Sequence, residues 1–471
     1  MHEISGIRHT LSTFWGRLAT SSLSELVELF GNKIPWPDGD PSRRDRVFNQ
    51  WRTFWLFLTQ VLSFTQTCGE ALKKAQAFLC MNDQTISSST AAYCKARIRL
   101  SQQYLSKINH EIVEKLHQQL SPADLWYGRH VKIVDGSSAS MPDTRANQDA
   151  YPQPSGQKKG CGFPVMRIVV IFSLTTGLVV ALRKGSLKIH ERTLWRKMWS
   201  QYQKGDVVLA DRGFCAFADY FLLAKKGVDC VMRLHQMRKE KKIIKKFNKK
   251  DYLVQWQKAK RNKQSAWITR NAWKRMPQDI IVRHVHVSTD LPGYRTKKLI
   301  IATTLLDNKK YPGYALAELY RKRWMAELFL RDIKTTMRMD NLRCKTPEMI
   351  QKELTIFIIA YNLIRSLIWK AAKNKGLDPY HISFASTMAT IRQWTPLMVN
   401  IGGENIKKRF IDRLLEVVAQ NLISKRKKRR KAQPRAIKRR PNGKYQLMTK
   451  PRNQFKEIPH REKYRKNSGL S

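Results

Sequence analysis

Between His130 and Leu234 the apolar residues abandon helical spacing and bunch into runs too short to be helices. "HVKIVD" closes on Asp135, "VMRIVVIFSL" and "LVVALRKG" flank Thr175-Thr176-Gly177, and "DVVLAD" closes on Asp211 before "VDCVMRL". Each reads as a buried strand, and the Thr-Thr-Gly link makes the second and third a hairpin. Helical spacing returns only in "ERTLWRKMWSQY" and in "AFADYFLLAKKG", which Gly227 stops. Strand, strand, strand, helix, strand, helix, strand predicts a mixed α/β sheet covered by helices.

The flanks are patterned differently. Residues 1–125 read as an N-terminal helical DNA-binding domain. It has a loop at Pro35–Ser42, the amphipathic run "FNQWRTFWLFLTQVL", and a turn and helix in "NDQTISSSTAAYCKARIRLSQQYLSKI". Ser87, Ser88, Ser89 and Thr90 offer N-cap oxygens there, and Lys95, Arg97 and Arg99 are expected to decorate the surface. Such a helix suits the recognition element of a helix-turn-helix, or an ordinary basic surface. The first part of the core, 126–234, is followed by a β-rich insertion at 235–305 that holds "IIVRHVHVSTD" and "KKLIIATTLLD". Residues 306–372 resume the core, 373–424 form a helical C-terminal region, and 425–471 are a basic tail. In that tail 19 Lys and Arg face only Glu457 and Glu462, so it is expected to be disordered in isolation.

Over the whole chain, 89 Lys plus Arg outnumber 36 Asp plus Glu, a net charge of +53. Counterion release then makes nucleic acid the natural partner, ahead of a ribosome or an anionic membrane surface. The seven cysteines lack zinc-ligand spacing and read as reduced thiols of a cytosolic protein. "MHEISGIRHT" has no signal-peptide core. No membrane span is expected either, because Thr175-Thr176-Gly177 interrupts one long apolar run and Asn362 and Arg365 interrupt the other.

Chemistry concentrates in "YRKRWMAELFLRDIK", Tyr320 to Lys334. At 3.6 residues per turn, Tyr320, Arg323, Glu327 and Lys334 share a sector of roughly 60° in a stripe about 21 Å long. Trp324, Leu328, Leu330 and Ile333 are left to pack on the other faces. Spacing alone fits an amphipathic helix with an Arg323–Glu327 pair equally well. Asp135 and Asp211 tip the reading. Both end apolar strands, where α/β sheets place their chemistry, although each by itself also fits a turn-capping role. With Glu327 they make three hard oxygen donors, a set suited to Mg²⁺. Two ions about 3.5–4 Å apart would activate a water or 3′-hydroxyl and stabilise the leaving oxygen. Arg323 and Lys334 would then grip phosphates, with Tyr320 beside them.

The tetrad Tyr320-x2-Arg323-x3-Glu327-x6-Lys334 resembles the signature of the IS-four family of bacterial insertion-sequence transposases. "VDGSSASMPDTRANQ" resembles that family's first-Asp motif and "LADRGF" its second, which matches Asp135, Asp211 and Glu327 to a DDE triad. About 115 residues separate Asp211 from Glu327, where the family too carries a β-rich insertion. The resemblance implies an RNase H-like catalytic core. It also implies two Mg²⁺ ions on Asp135, Asp211 and Glu327, replaceable by Mn²⁺, and DNA contacts from Tyr320, Arg323 and Lys334. By the same resemblance the protein is a cut-and-paste DNA transposase of the bacterial cytoplasm, associated with the nucleoid and not with a membrane. A homodimer would synapse the terminal inverted repeats of double-stranded DNA, cleave them, and join the 3′ ends to target DNA. A catalytically inactive DNA-binding descendant and an RNase H-like nuclease without strand transfer are the alternatives. In relatives an insertion-domain Trp stacks on a flipped base. Here Leu299 holds the apparently matching place, so either another ring (Trp267, Trp273 or Tyr294) does this job or the hairpin step is handled differently.

Lesser features carry expectations of their own. His284 and His286 share a strand face, which would suit a metal pair, but they are expected to be exposed or DNA-facing. Asp143 suits either support of the first carboxylate or a turn. Glu191 opens a helix and is expected to cap it. Trp256, Trp267 and Trp273 lie amid Lys and Arg, as nucleic-acid contacts or as the insertion's small core.

Overall fold

A computed structural model of the chain describes residues 47–80, 85–238, 242–261, 266–288, 298–398, 404–423 and residue 454. The predicted loop at Pro35–Ser42, Tyr294 and, residue 454 aside, the basic tail lie outside these residues. Helices α1 (Gln50–Leu62), α2 (Cys68–Cys80), α3 (Ala91–Arg99) and α4 (Gln102–Gln118) come first. The predicted single basic helix is thus two, because Ser101 caps a new one by accepting from the Tyr104 amide. Nor does Arg97 decorate a surface. It lies one turn beyond the buried Tyr93 and shares its inward face. Its guanidinium donates to the thiols of Cys68 (2.9 Å) and Cys344 (3.0 Å) and lies over the Phe57 ring.

Strands β1 (Val131–Ser140), β2 (Val165–Ser173) and β3 (Val179–Ser186) follow as an antiparallel set. Helix α5 (Glu191–Arg196) then leads to β4 (Val207–Ala210), and α6 (Phe217–Lys225) to β5 (Asp229–Arg233). These crossovers let β4 run parallel to β1 and β5 parallel to β4. Strands β6 (Ile243–Asn248), β7 (Asp251–Gln257), β8 (Asp279–Ser288) and β9 (Lys298–Thr303) extend the same sheet, since β9 pairs with β5. The order is β3-β2-β1-β4-β5-β9-β8-β7-β6. His284 is therefore not exposed as predicted. Its strand β8 lies inside the sheet, and Trp256 Nε1 donates to its Nε2 (2.9 Å). His286 meets the Tyr252 hydroxyl at 2.6 Å, and Trp256 is buried with this group.

Alternation along the strands divides the core into two layers. Ile133, Val170, Leu209, Val231 and Ile301 face one layer; Val134, Val169, Val208, Met232 and Ala302 face the other. The second layer is filled by Trp195 of α5 and Tyr220 of α6. The first belongs to helices α7 (Gly313–Arg321), α8 (Met325–Arg331), α9 (Pro347–Asn374), α10 (Phe384–Met398) and α11 (Glu404–Gln420). Around α9 pack α1, α4 and α11. By length and composition α9 could cross a membrane, but it is buried within the protein. Its polar residues have inward partners. The Asn362 amide accepts from Val179 N (2.8 Å) and donates to Val179 O (3.0 Å), and Arg365 donates to Asp332 (2.8 Å).

Candidate active site

Asp135 does not end its strand as predicted. β1 continues to Ser140, which still pairs with Val165 of β2 and exchanges backbone hydrogen bonds with Asp340 (3.0 Å) and Leu342 (2.9 Å). What ends at Asp135 is the parallel pairing with β4, whose last matched residues are Val134 and Ala210. Asp211 comes next on that neighbouring strand, where a 3-10 turn at Arg212–Phe214 begins. Each carboxylate accepts from the following amide, Asp135 from Gly136 (2.8 Å) and Asp211 from Arg212 (2.6 Å).

The predicted continuous helix from Tyr320 to Lys334 is broken twice. A 3-10 turn at Lys322–Trp324 separates α7 from α8, and a π-helical turn at Asp332–Thr336 follows, so the uniform pitch behind the predicted stripe does not hold. The π turn is pinned by Met337 N donating to Asp332 O (2.9 Å), while Arg365 holds the Asp332 carboxylate. Trp324, expected to pack, is 48% exposed, because the tight 3-10 turn leaves it facing outward.

These segments still bring several of the singled-out side chains to β1. Arg323 Nη2 donates to Glu327 (2.7 Å), and its Nη1 lies 4.0 Å from Asp135 Oδ2, so the guanidinium stands between two carboxylates distant in sequence. Lys334 Nζ donates to the hydroxyl of Ser137 (3.0 Å), which shares a strand face with Asp135. Tyr320 is buried; burial chiefly, and the nearby Asp211 carboxylate in addition, push its phenol upward.

The electrostatics are those of a crowded acidic corner. Burial raises the Asp135 carboxyl to about 6. Glu327 and Glu191 push the same way, while the Gly136 amide and Arg323 pull it back. Burial opposes the charge on Arg323, yet the Glu327 hydrogen bond, Tyr320 and Asp135 outweigh it and hold the guanidinium above its ordinary range. Burial lowers Lys334. Among the described residues no three His, Cys, Asp or Glu side chains form a ready ligand set for a metal ion. The donors nevertheless suit a divalent cation in kind. They are hard carboxylate oxygens, one with raised proton affinity, and Arg323 stands in as counter-charge for Asp135 and Glu327.

Glu191 does not supply the expected cap; His190 does, its Nδ1 accepting from Arg192 N (3.2 Å). The Glu191 carboxylate lies instead against Gly136, and a glycine inside a strand beside a candidate carboxylate was the available signal. Asp143 accepts from Gln148 Nε2 (2.9 Å). Leu299 is half-buried on β9. Trp267 lies under the Arg196 guanidinium (3.8 Å), which Asp219 grips with both oxygens (2.8 and 2.9 Å). Together with Trp273, Arg192 and Arg238, this pair lines a cavity of about 580 Å³ bordered by Cys215 and Ala216.

The transposase DDE domain family matches residues 126–363, just over half of the chain. This protein belongs to that family. The transposase InsG for insertion sequence element IS4 of Escherichia coli (strain K12) is 26% identical over 358 residues, covering 74% of this chain and 77% of InsG. Kinship with the IS-four transposases, expected from the Tyr320–Lys334 signature, is thereby borne out. A solved synaptic complex of piggyBac transposase with hairpin DNA aligns at 8% identity over 85% of this chain and 81% of that one. Its TM-score of 0.39 is too low to bear on this DDE transposase.

Proposed function

We propose that this transposase is the cut-and-paste enzyme of a bacterial insertion sequence, acting with Mg²⁺ on terminal inverted repeats and on target DNA. One observation carries the reading. The parallel pairing of β1 and β4 ends just before Asp135 and Asp211, and Arg323 links Asp135 (4.0 Å) to Glu327 (2.7 Å). Antiparallel β3-β2-β1 followed by parallel β4 and β5 supports an RNase H-like core at 126–234 and 306–372, interrupted by the insertion at 235–305. The net charge of +53 suits a DNA partner, with residues 1–125 as a binding domain and the tail as a non-specific clamp. Action as a homodimer, in the cytoplasm and at the nucleoid, completes the reading.

In this mechanism Asp135, Asp211 and Glu327 would hold the divalent ions. The metal, when bound, supplies Lewis acidity and an activated hydroxyl at the scissile phosphate. The rest falls to the chain's own residues. Arg323 now neutralises Asp135 and Glu327; relieved of them, its planar fork is free to take two phosphate oxygens. Lys334 exchanges the Ser137 hydroxyl for a neighbouring phosphate. Tyr320, buried and within electrostatic reach of Arg323 and Asp211, would hydrogen-bond or pack beside those phosphates.

Asp135→Ala, Asp211→Ala and Glu327→Ala are each expected to abolish Mg²⁺-dependent cleavage of labelled element ends while gel-shift binding persists. Cleavage surviving in one variant removes that residue from the triad. Joining of pre-cut ends to plasmid DNA distinguishes a transposase from a nuclease. A wild-type chain that binds ends without cutting them would be the inactive descendant.

A further inference from the structure

We propose that Cys68 and Cys94 are a thiol pair that a peroxide oxidises to a disulfide, latching helix α2 to helix α3. The pair takes no part in the carboxylate chemistry. Its two sulfurs lie 3.9 Å apart, although 26 residues divide them in the chain. A disulfide needs about 2 Å, so the sulfurs have roughly 2 Å left to close. Gln60 of α1 ties both ends of this arrangement together. Its side-chain oxygen accepts from the Tyr93 hydroxyl (2.8 Å), next to Cys94, and faces the Cys68 thiol (3.9 Å). Its Nε2 donates to Gln66 O (3.1 Å), just before α2 begins.

The surroundings give the two sulfurs different tasks. Arg97 Nη1 donates to Cys68 (2.9 Å), and both cysteines are partly exposed, the electropositive and accessible setting in which cysteines react. Burial, and then Cys68 itself, push the Cys94 thiol up, so Cys94 keeps its proton for the second step. In the first step the Cys68 sulfur attacks the peroxide. An S–O bond forms, the O–O bond breaks, and the leaving hydroxide departs as water with the Cys68 proton. Cys94 then attacks the oxidised sulfur. The S–S bond forms, the S–O bond breaks, and the hydroxyl leaves as a second water with the Cys94 proton. Two thiols lose two electrons and the peroxide gains them. The remaining cysteines are placed otherwise. Cys344 meets the other arm of the Arg97 fork (3.0 Å) but is buried, which pushes its thiol up. Cys161, Cys215 and Cys230 are buried as well, and Cys80 stands exposed at the opposite end of α2.

The test treats the DNA-free full chain with a few equivalents of hydrogen peroxide, blocks the remaining thiols, and maps tryptic peptides by mass spectrometry. The expected product is a linked pair of peptides carrying Cys68 and Cys94, lighter by two hydrogens than its parts and split by dithiothreitol. In Cys94→Ser the reaction should stop at a Cys68 sulfenic acid that dimedone traps. In Cys68→Ser, dimedone labelling of Cys94 should be slower by about tenfold or more. Equal labelling in the two variants overturns the inference. So does a wild-type chain whose Cys68 and Cys94 end separately blocked, or linked to other cysteines. The wild-type map decides by itself should a variant fail to fold.

Discussion

Two arginine–acid pairs hold the helical segment that crosses β1, and they differ in their surroundings. Arg365 and Asp332 meet at 2.8 Å with side chains only 5% and 9% exposed, and the guanidinium also lies against the rings of Phe329 and Tyr361. Arg323 and Glu327 meet at 2.7 Å, but with 18% and 39% exposed and a second acid, Asp135, within reach. Near-identical contact distances thus serve different ends. The buried pair fixes the π turn, and with it the position of Lys334, so no ligand can substitute for either member. The open pair is the one the proposed mechanism would part, Glu327 to a cation and Arg323 to a phosphate.

The largest expected effect breaks the closed pair. Asp332→Ala would strand the Arg365 charge in the core and should cost about 3–5 kcal/mol in urea unfolding. A loss under about 1 kcal/mol would show that water reaches the pair and that the contrast is false. Next comes the pH dependence of the open corner. The Asp135 carboxyl is raised from 3.8 to about 6, so the native state holds this proton more tightly than the unfolded chain. That contribution is fully present below pH about 4 and is lost as pH rises through about 6, a change of up to about 3 kcal/mol. Without metal, Asp135→Asn should therefore be more stable than wild type at pH 7.5 and nearly equal to it at pH 4, as read from thermal melts. Parallel curves for the two proteins would refute the strained-carboxylate picture. The smallest effect is on the stability of Arg323→Gln, expected to fall by about 1 kcal/mol or less. A loss matching that of Asp332→Ala would erase the distinction between the pairs.

Much of this architecture could be read from residue order. The apolar runs gave the strands, and the kinship expected from Tyr320, Arg323, Glu327 and Lys334 held. What escaped was decided by partners far away in the chain. β1 outruns its apolar stretch because residues 340–342 bond to Ser140, and no local pattern announces that. The π turn depends on Arg365, over 30 residues downstream of Asp332. Arg97 looked like surface because charge ordinarily is, yet thiols of Cys68 and Cys344 and the Phe57 ring line an inward slot for it. Glu191 departs from expectation for a related reason. Its helix-opening position fits a cap, while its contact with Gly136 exists only once α5 has packed.

The amide of Asn362 has one more consequence. By occupying both backbone groups of Val179, it closes part of the margin of the sheet at β3 to strand addition. At the far margin β6 presents Lys245 and Lys246 in the open, a charge barrier against another strand. Both margins of the sheet are thereby made poor templates for the strand of a second copy.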